Sequence, residues 1–205
     1  MKKCMAAVMG VILMISGTAC AGRKKDVYTE LYERYGSLSS YYAESKITAI
    51  NDRSNNTYHA RQFYRSPHEY SIVFDAPEAV AGSGYVIKGG MALLKPGFDA
   101  DADANAEFPV KKEEINLHCI ADFFARYYKG EDSAAETTGG MGEKYIVLRC
   151  GVQNSRNARE QRLTIDTDTF LPVRLENFDE TGKCSATVEY GEFKPNCELE
   201  DSLFE

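Results

Sequence analysis

Imidazole is scarce in this chain. Three histidines, His59, His68 and His118, serve 205 residues, so few groups are available for proton transfer near neutral pH. Positive charge is also in deficit. Twenty-four Lys and Arg face 31 Asp and Glu, a formal net charge of −7, which disfavours a nucleic-acid binder working through a basic face. No apolar run reaches the ~18 residues that a bilayer-spanning helix requires. Sequences of the GxSxG, HExxH, P-loop and GxGxxG types are missing, and Gly82-Ser83-Gly84 is too short to cradle a phosphate. No CxxC or Cys/His cluster has the spacing of a zinc site. Carboxylate pairs are common, as in any acidic chain, and do not point to a glycosidase. Without a nucleophile, base and orienting group in one pattern, a hydrolase is disfavoured, and no cofactor is implied.

What the chain does have is enough apolar surface for one compact domain: 43% hydrophobic residues, with 13 Tyr and 10 Phe. Its first residues form an export signal. Lys2 and Lys3 precede an eleven-residue apolar stretch from Met5 to Ile15, then the small residues Ser16-Gly17-Thr18-Ala19 and Cys20. A small residue directly before Cys suits lipoprotein signal peptidase, with Cys20 becoming the acylated first residue. This segment resembles the bacterial lipobox, Thr18 and Ala19 matching its second and third positions and Gly17 standing where Leu is usual. Ala19-Cys20-Ala21 also has the small-x-small form of an ordinary secretory cleavage site, so plain secretion is the competing reading. The expected division is a signal peptide at 1–19, a tether at 20–26 and a single domain at 27–205. Loss of residues 1–19 takes away Lys2 and Lys3 and no acid, leaving a net charge of −9. An anionic membrane repels such a body, and only Arg23, Lys24 and Lys25 stand positioned to touch headgroups.

With Cys4 in the leader and Cys20 in the anchor, Cys119, Cys150, Cys184 and Cys197 remain. Outside the cytoplasm four cysteines permit two disulfides in three connectivities; as free thiols they would be small buried hydrophobes. Both readings stand.

Residues 26–35 put Val27, Leu31 and Tyr35 on one helical face ahead of Gly36. Strands are expected over 38–50 and 57–65, around Asn51–Asn56 as a polar turn, and over 70–75. In the second, His59, Arg61, Phe63 and Arg65 make one face mostly basic. Short strands at 85–88 and 91–95 flank Gly89-Gly90. Residues 113–128 read as the long helix, with Ile115, Cys119, Ile120, Phe123, Phe124 and Tyr127 as its apolar stripe. Residues 130–142 read as a loop. Strands return at 145–150, around Leu163 and Ile165, at 171–176 and at 184–190, the last after an Asp179–Gly182 turn. The fold class is therefore mainly β (α+β): a curved antiparallel sheet of about eight strands, its apolar face covered by one long and one short helix.

Two constellations call for chemistry less than they first suggest. Asp99, Asp101, Asp103 and Asn105 are spaced like the start of a calcium loop. Ala106 occupies the position of the required Gly and Lys112 that of the closing Glu, so a solvated acidic loop and no metal is expected. His118 and Cys119 are adjacent, and neighbouring helical positions diverge by ~100°, which predicts a surface His and a core Cys. The Tyr-rich strands also allow a lipid carrier, if their concave side encloses a cavity for an acyl chain.

The order of elements resembles the LolA/LolB-like lipoprotein-sorting fold, a half-barrel plugged by helices. The likeness rests on Tyr64-Arg65-Ser66-Pro67 leading into Tyr70–Phe74, on Pro77-Glu78 with Gly82, and on Leu163-Thr164-Ile165-Asp166 through Leu171-Pro172-Val173-Arg174. Asn177-Phe178-Asp179 and Tyr190-Gly191-Glu192-Phe193-Lys194-Pro195-Asn196 complete it. Within that group the chain is most similar to the germination lipoproteins (GerS-like) of spore-forming clostridia. The resemblance implies a non-catalytic, membrane-tethered partner of a cell-wall N-acetylmuramoyl-L-alanine amidase that modifies spore cortex. It implies location on the outer face of the cytoplasmic or forespore membrane, with a strand-exchanged homodimer conceivable through open sheet edges.

Overall fold

The computed structural model describes residues 26–97, 106–109, 118–130, 133–138, 144–153, 155 and 158–205. Among these, helix α1 (Val27–Tyr35) comes first. It is followed by β1 (Ser40–Ile50), β2 (Asn55–Arg65), β3 (Glu69–Ala76), β4 (Gly84–Lys88), β5 (Met91–Lys95) and β6 (Ala106–Pro109). Helix α2 (Ile120–Tyr127) precedes β7 (Ala134–Thr138), β8 (Tyr145–Gly151), β9 (Glu160–Asp166), β10 (Pro172–Phe178) and β11 (Cys184–Pro195). All eleven strands form one antiparallel sheet in the order β6-β5-β4-β3-β2-β1-β11-β10-β9-β8-β7. Two meanders thus meet where β1 pairs with β11, and among the described residues the free edges are β6 and β7.

The antiparallel, mainly β architecture agrees with the sequence expectation, while its size exceeds it. β7 lies where a loop was expected, because Ala-Ala-Glu-Thr-Thr carries no apolar alternation and acquires strand geometry by pairing with β8. β6 is a short addition to β5. β2 begins two residues early, so the polar turn shrinks to 51–54, closed by Asn51 N–H donating to the Ser54 carbonyl at 3.1 Å. The described part of the expected long helix has eight residues, one fewer than α1; residues 113–117 lie outside the described residues, as do the leader, Cys20 and the acidic segment Asp99–Asn105. Gly89 and Gly90 both take positive φ, as a two-residue hairpin between β4 and β5 demands. Gly84 meets a different constraint. A Cβ there would lie 2.0 Å from the Ile72 carbonyl oxygen, so the close pairing of β3 with β4 excludes any side chain.

One face of the sheet holds the main core. Tyr41, Ala43 and Ile47 of β1, Ile72 of β3, Leu163 and Ile165 of β9, Leu175 of β10 and Val188 of β11 turn inward onto Ile120, Phe123 and Phe124 of α2 and Leu31 and Tyr35 of α1. Inward and outward residues alternate along much of each strand, broken where the ladder shifts register, as it does between β2 and β3, β9 and β10, β10 and β11, and β1 and β11. Tyr190 and Phe193 are three apart and both point inward. An irregularity in the β1–β11 ladder makes this possible: Ala43 faces Phe193 while Ser45 faces Tyr190, so β11 carries one extra residue.

The outer face has a second, smaller core that periodicity did not reveal. After β11 the chain reverses at Asn196, whose Oδ1 accepts from Ser39 N–H (2.9 Å) and Oγ (3.0 Å). The C-terminal residues then cross the outer face, and Phe204 packs with Phe63 and Val86, flanked by Tyr42, Val73, Leu93, Leu199 and Leu203. Arg65 fixes the crossing by binding Glu69 (2.6 Å) and Asp201 (2.5 Å), with its guanidinium 4.6 Å from the Phe204 ring centroid. Phe63, expected on the mostly basic face of β2, is consequently buried, as is its cross-strand neighbour Ser71. Truncation of a buried Phe removes both transfer energy and packing, so Phe204→Ala should lower unfolding free energy by about 3 kcal/mol in urea titrations. A loss below about 1 kcal/mol would show that the tail adds little to the sheet.

Candidate functional site

The concave interior comes first, since a carrier would place its cargo there. Tyr41, Tyr70 and Tyr190 converge on the start of α2. Tyr41 Oη accepts from Ile120 N–H at 3.3 Å, and Tyr190 O–H donates to the His118 carbonyl at 3.1 Å. Tyr41 also stacks on Phe193, ring centroids 5.1 Å apart, and Tyr35 stacks on Phe124 at 4.1 Å. Burial raises the pKa of Tyr41, Tyr70 and Tyr190 well above the ordinary phenol value, so these hydroxyls stay neutral at any physiological pH. Phe123 and Ile120 are fully enclosed among the strands. Among the described residues, then, α2 occupies the middle of the concave face.

Cys119 is the residue just before α2 and is completely buried, as the sequence predicted. Its thiol is pushed up to about 12, first by burial and then by nearby Asp122, so it remains protonated and is a poor nucleophile. His118 does not sit on an exposed helix surface. It precedes the helix and keeps some exposed area, yet its Nδ1 is sealed from solvent and has no hydrogen-bond partner among the described residues. Burial pushes its pKa down to about 4. Cys150 is buried as well and its thiol is raised to about 11, while Cys184 and Cys197 are half-buried. All four are free thiols, the non-disulfide reading.

The outer face offers a different arrangement. Beside the irregular β1–β11 pairing, a shallow cavity of about 450 Å³ is lined by Glu44, Lys46, His59, Arg61, Asp75 and Glu189, with Gly191 also in its wall. Two ion pairs cross it. Arg61 grips Asp75 with Nε at 3.0 Å and Nη2 at 2.9 Å, which raises the guanidinium pKa further, and Lys46 Nζ lies 3.0 Å from Glu189. The face expected to be basic is therefore charge-balanced: Arg61 meets Asp75 of β3, and Arg65 meets Glu69 and Asp201. Sequence alternation on β2 could not show this, because the neutralising acids belong to other elements. The same pattern continues across the sheet, with Arg162 on Glu160 (2.7 Å) and Arg174 on Glu176 (3.0 Å). Such a surface is polar and patterned, suited to registering against another protein's charges. Among the described residues no three His, Cys, Asp or Glu side chains are grouped to hold a metal ion.

His118 sets a pH dependence whose sign is definite. Its folded pKa of about 4 lies below the ordinary 6.5, so between those values the unfolded chain binds a proton that the native state refuses. Stability should fall as pH drops from about 6.5 towards 4, by roughly 1–3 kcal/mol. The carboxylates held low by ion pairs or hydrogen bonds, such as Glu69 and Asp201, add their losses as pH falls through their ordinary values of 4.5 and 3.8 and below. Urea unfolding at pH 7 and pH 5 should show the wild-type drop and a flatter profile for His118→Gln; an unchanged slope in the variant would exclude the imidazole as its source.

Comparison with known proteins places this arrangement. No curated protein sequence matches the chain. Among solved structures, an uncharacterised conserved protein from Thermus thermophilus superposes with a TM-score of 0.51 at 15% identity, covering 87% of this chain and 93% of that one. The GerS lipoprotein, solved in complex with the CwlD amidase from Clostridioides difficile, gives 0.50 at 20% identity, covering 83% and 95%. A LolA superfamily protein from Nitrosomonas europaea gives 0.45 at 12% identity, covering 86% and 96%. The first two of these likenesses define the fold. The family model for YdcC-like sporulation proteins matches residues 1–204, and the chain belongs to that family.

Proposed function

We propose that this protein is an exported lipoprotein, anchored through acylated Cys20, that binds and supports a cell-wall N-acetylmuramoyl-L-alanine amidase during spore cortex modification, without chemistry of its own. The observation that carries this reading is the fold shared with GerS, a lipoprotein solved with an amidase, in a chain from a sporulation family. The chemistry of the surface and interior supports it. The buried thiol and phenols near α2 are held protonated, and the outer face carries paired charges around an open groove.

Anchoring confines both partners to one membrane surface and raises their effective concentration, so a modest interface suffices. The groove across β1, β2, β3 and β11 is the docking surface in this reading. Its ion pairs are half-exposed and contribute little to stability, which frees them to exchange partners. Among the described residues β7 is an edge strand, and its outer side would offer backbone groups for an added strand, from the amidase or from a second copy of the chain. The carrier reading needs a hollow interior, whereas Ile120 and Phe123 pack into it.

Four measurements test the proposal. The amidase should co-purify with the wild-type protein from sporulating cells, and a deletion strain should lose cortex muramic lactam; normal cortex in that strain would reject the role. Reversing Lys46 and Arg61 to Glu should weaken amidase binding at least about tenfold, in a salt-sensitive way, while changing stability by less than about 1 kcal/mol. Intact-mass analysis should find a diacylglycerol adduct on Cys20; a chain cut after Ala21 without lipid would refute the anchor.

A further inference from the structure

The outward side of the helix layer carries a feature that amidase docking leaves unused. Leu31 and Tyr35 of α1 turn into the core, while Tyr28 and Tyr32, one turn apart on the other side, stay 44% and 62% exposed. Tyr128, at the end of α2, is 38% exposed. The Tyr32 and Tyr128 rings meet edge to face with centroids 5.2 Å apart, and Tyr127 lies 5.6 Å from Tyr128. Among the described residues only Met91 and Leu94, both on β5, are large apolar side chains of comparable exposure. An open cluster of phenol rings offers an apolar body with a polar tip, the chemistry of the bilayer–water boundary.

The chain itself selects the occupant. Val27, the first residue of α1, is seven residues beyond Cys20, and seven extended residues span at most about 25 Å. Acyl chains on Cys20 therefore keep this patch within reach of the headgroups. We propose that Tyr28, Tyr32 and Tyr128, backed by half-buried Tyr127, seat the helix layer in the headgroup region of the membrane to which Cys20 tethers the protein, an inference that rests on acylation of Cys20. Charge does not drive the contact. Glu30 and Glu33 flank the rings, opposed by Lys129 and by Arg23, Lys24 and Lys25 on the leash, so the attraction comes from ring burial. The seat also fixes an orientation. With the helices against lipid, the sheet lies behind them and its outer groove faces away from the membrane.

The chain contains no tryptophan, so a single Tyr32→Trp substitution creates a unique fluorescent reporter on the patch. Tyr42→Trp, on the outer face where Tyr42 packs on Phe63, serves as the reference. The acylated proteins, purified from membranes, are reconstituted into phosphatidylcholine–phosphatidylglycerol vesicles whose acyl chains carry bromine near the headgroup. Tyr32→Trp should be quenched at least about twofold more than Tyr42→Trp, and the difference should persist in high salt. If the protein floats with the vesicles and both reporters are quenched alike, the seat is overturned and the anchor stands; a patch covered by a second copy or by the enzyme would give this result. If intact mass shows no lipid on Cys20 and the protein does not float, the anchor falls and the seat falls with it.

Discussion

The packing of α2 against the concave face of a very wide sheet is the contact on which the rest depends. A flat eleven-stranded sheet would spread its strands over roughly 50 Å at ~4.8 Å per strand, far beyond what two short helices can cover. Yet Ile87 of β4 and Ile146 of β8, seven strands apart in the ladder, belong to the same hydrophobic cluster as Ile120, Phe123 and Phe124. Ile120 and Phe123 are fully enclosed. The helix supplies the apolar volume around which both meanders close, and an eight-residue helix in isolation would have no stability of its own. Helix and sheet therefore stand or fall together.

The same contact shapes the chemistry. Placing α2 at the centre surrounds its first residues with tyrosines, which can satisfy backbone groups while presenting rings to the core. Burial then removes Cys119 and His118 from acid–base work by holding one protonated and the other neutral. The exposed charged groups of the sheet lie on the outer face, where a groove between paired charges adjoins the β1–β11 irregularity.

The C-terminal crossing shows how one face of a sheet acquires two characters. Under the tail, Phe63, Val73 and Val86 are covered and the strands are sandwiched; beyond it, Lys46, Arg61 and Glu189 remain wet. The boundary is set by Arg65, which binds acids from β3 and from the tail while lying over Phe204. Asn196 makes the crossing possible by tying the chain reversal to the start of β1.

Much of this was legible in the amino-acid order, because strands with one buried face write their period of two directly: Tyr70/Ile72 and Leu163/Ile165 are such runs, and they are buried. The helix face Ile120/Phe123/Phe124, the Gly-Gly hairpin and the Asp179–Gly182 turn, where Asp179 Oδ1 accepts from Thr181 and Lys183 N–H, were equally local signals. What depended on distant partners was not. β7 is a strand only because β8 lies beside it, Phe63 is buried only because Phe204 returns over it, and the cations of β2 are neutralised only by acids on other segments. The groove borders register shifts of β11 against β1 and of β3 against β2, which no periodicity within a single strand encodes. Local pattern determines which face of each segment is apolar; the tertiary arrangement decides what covers that face, since covering it requires residues far away in the chain.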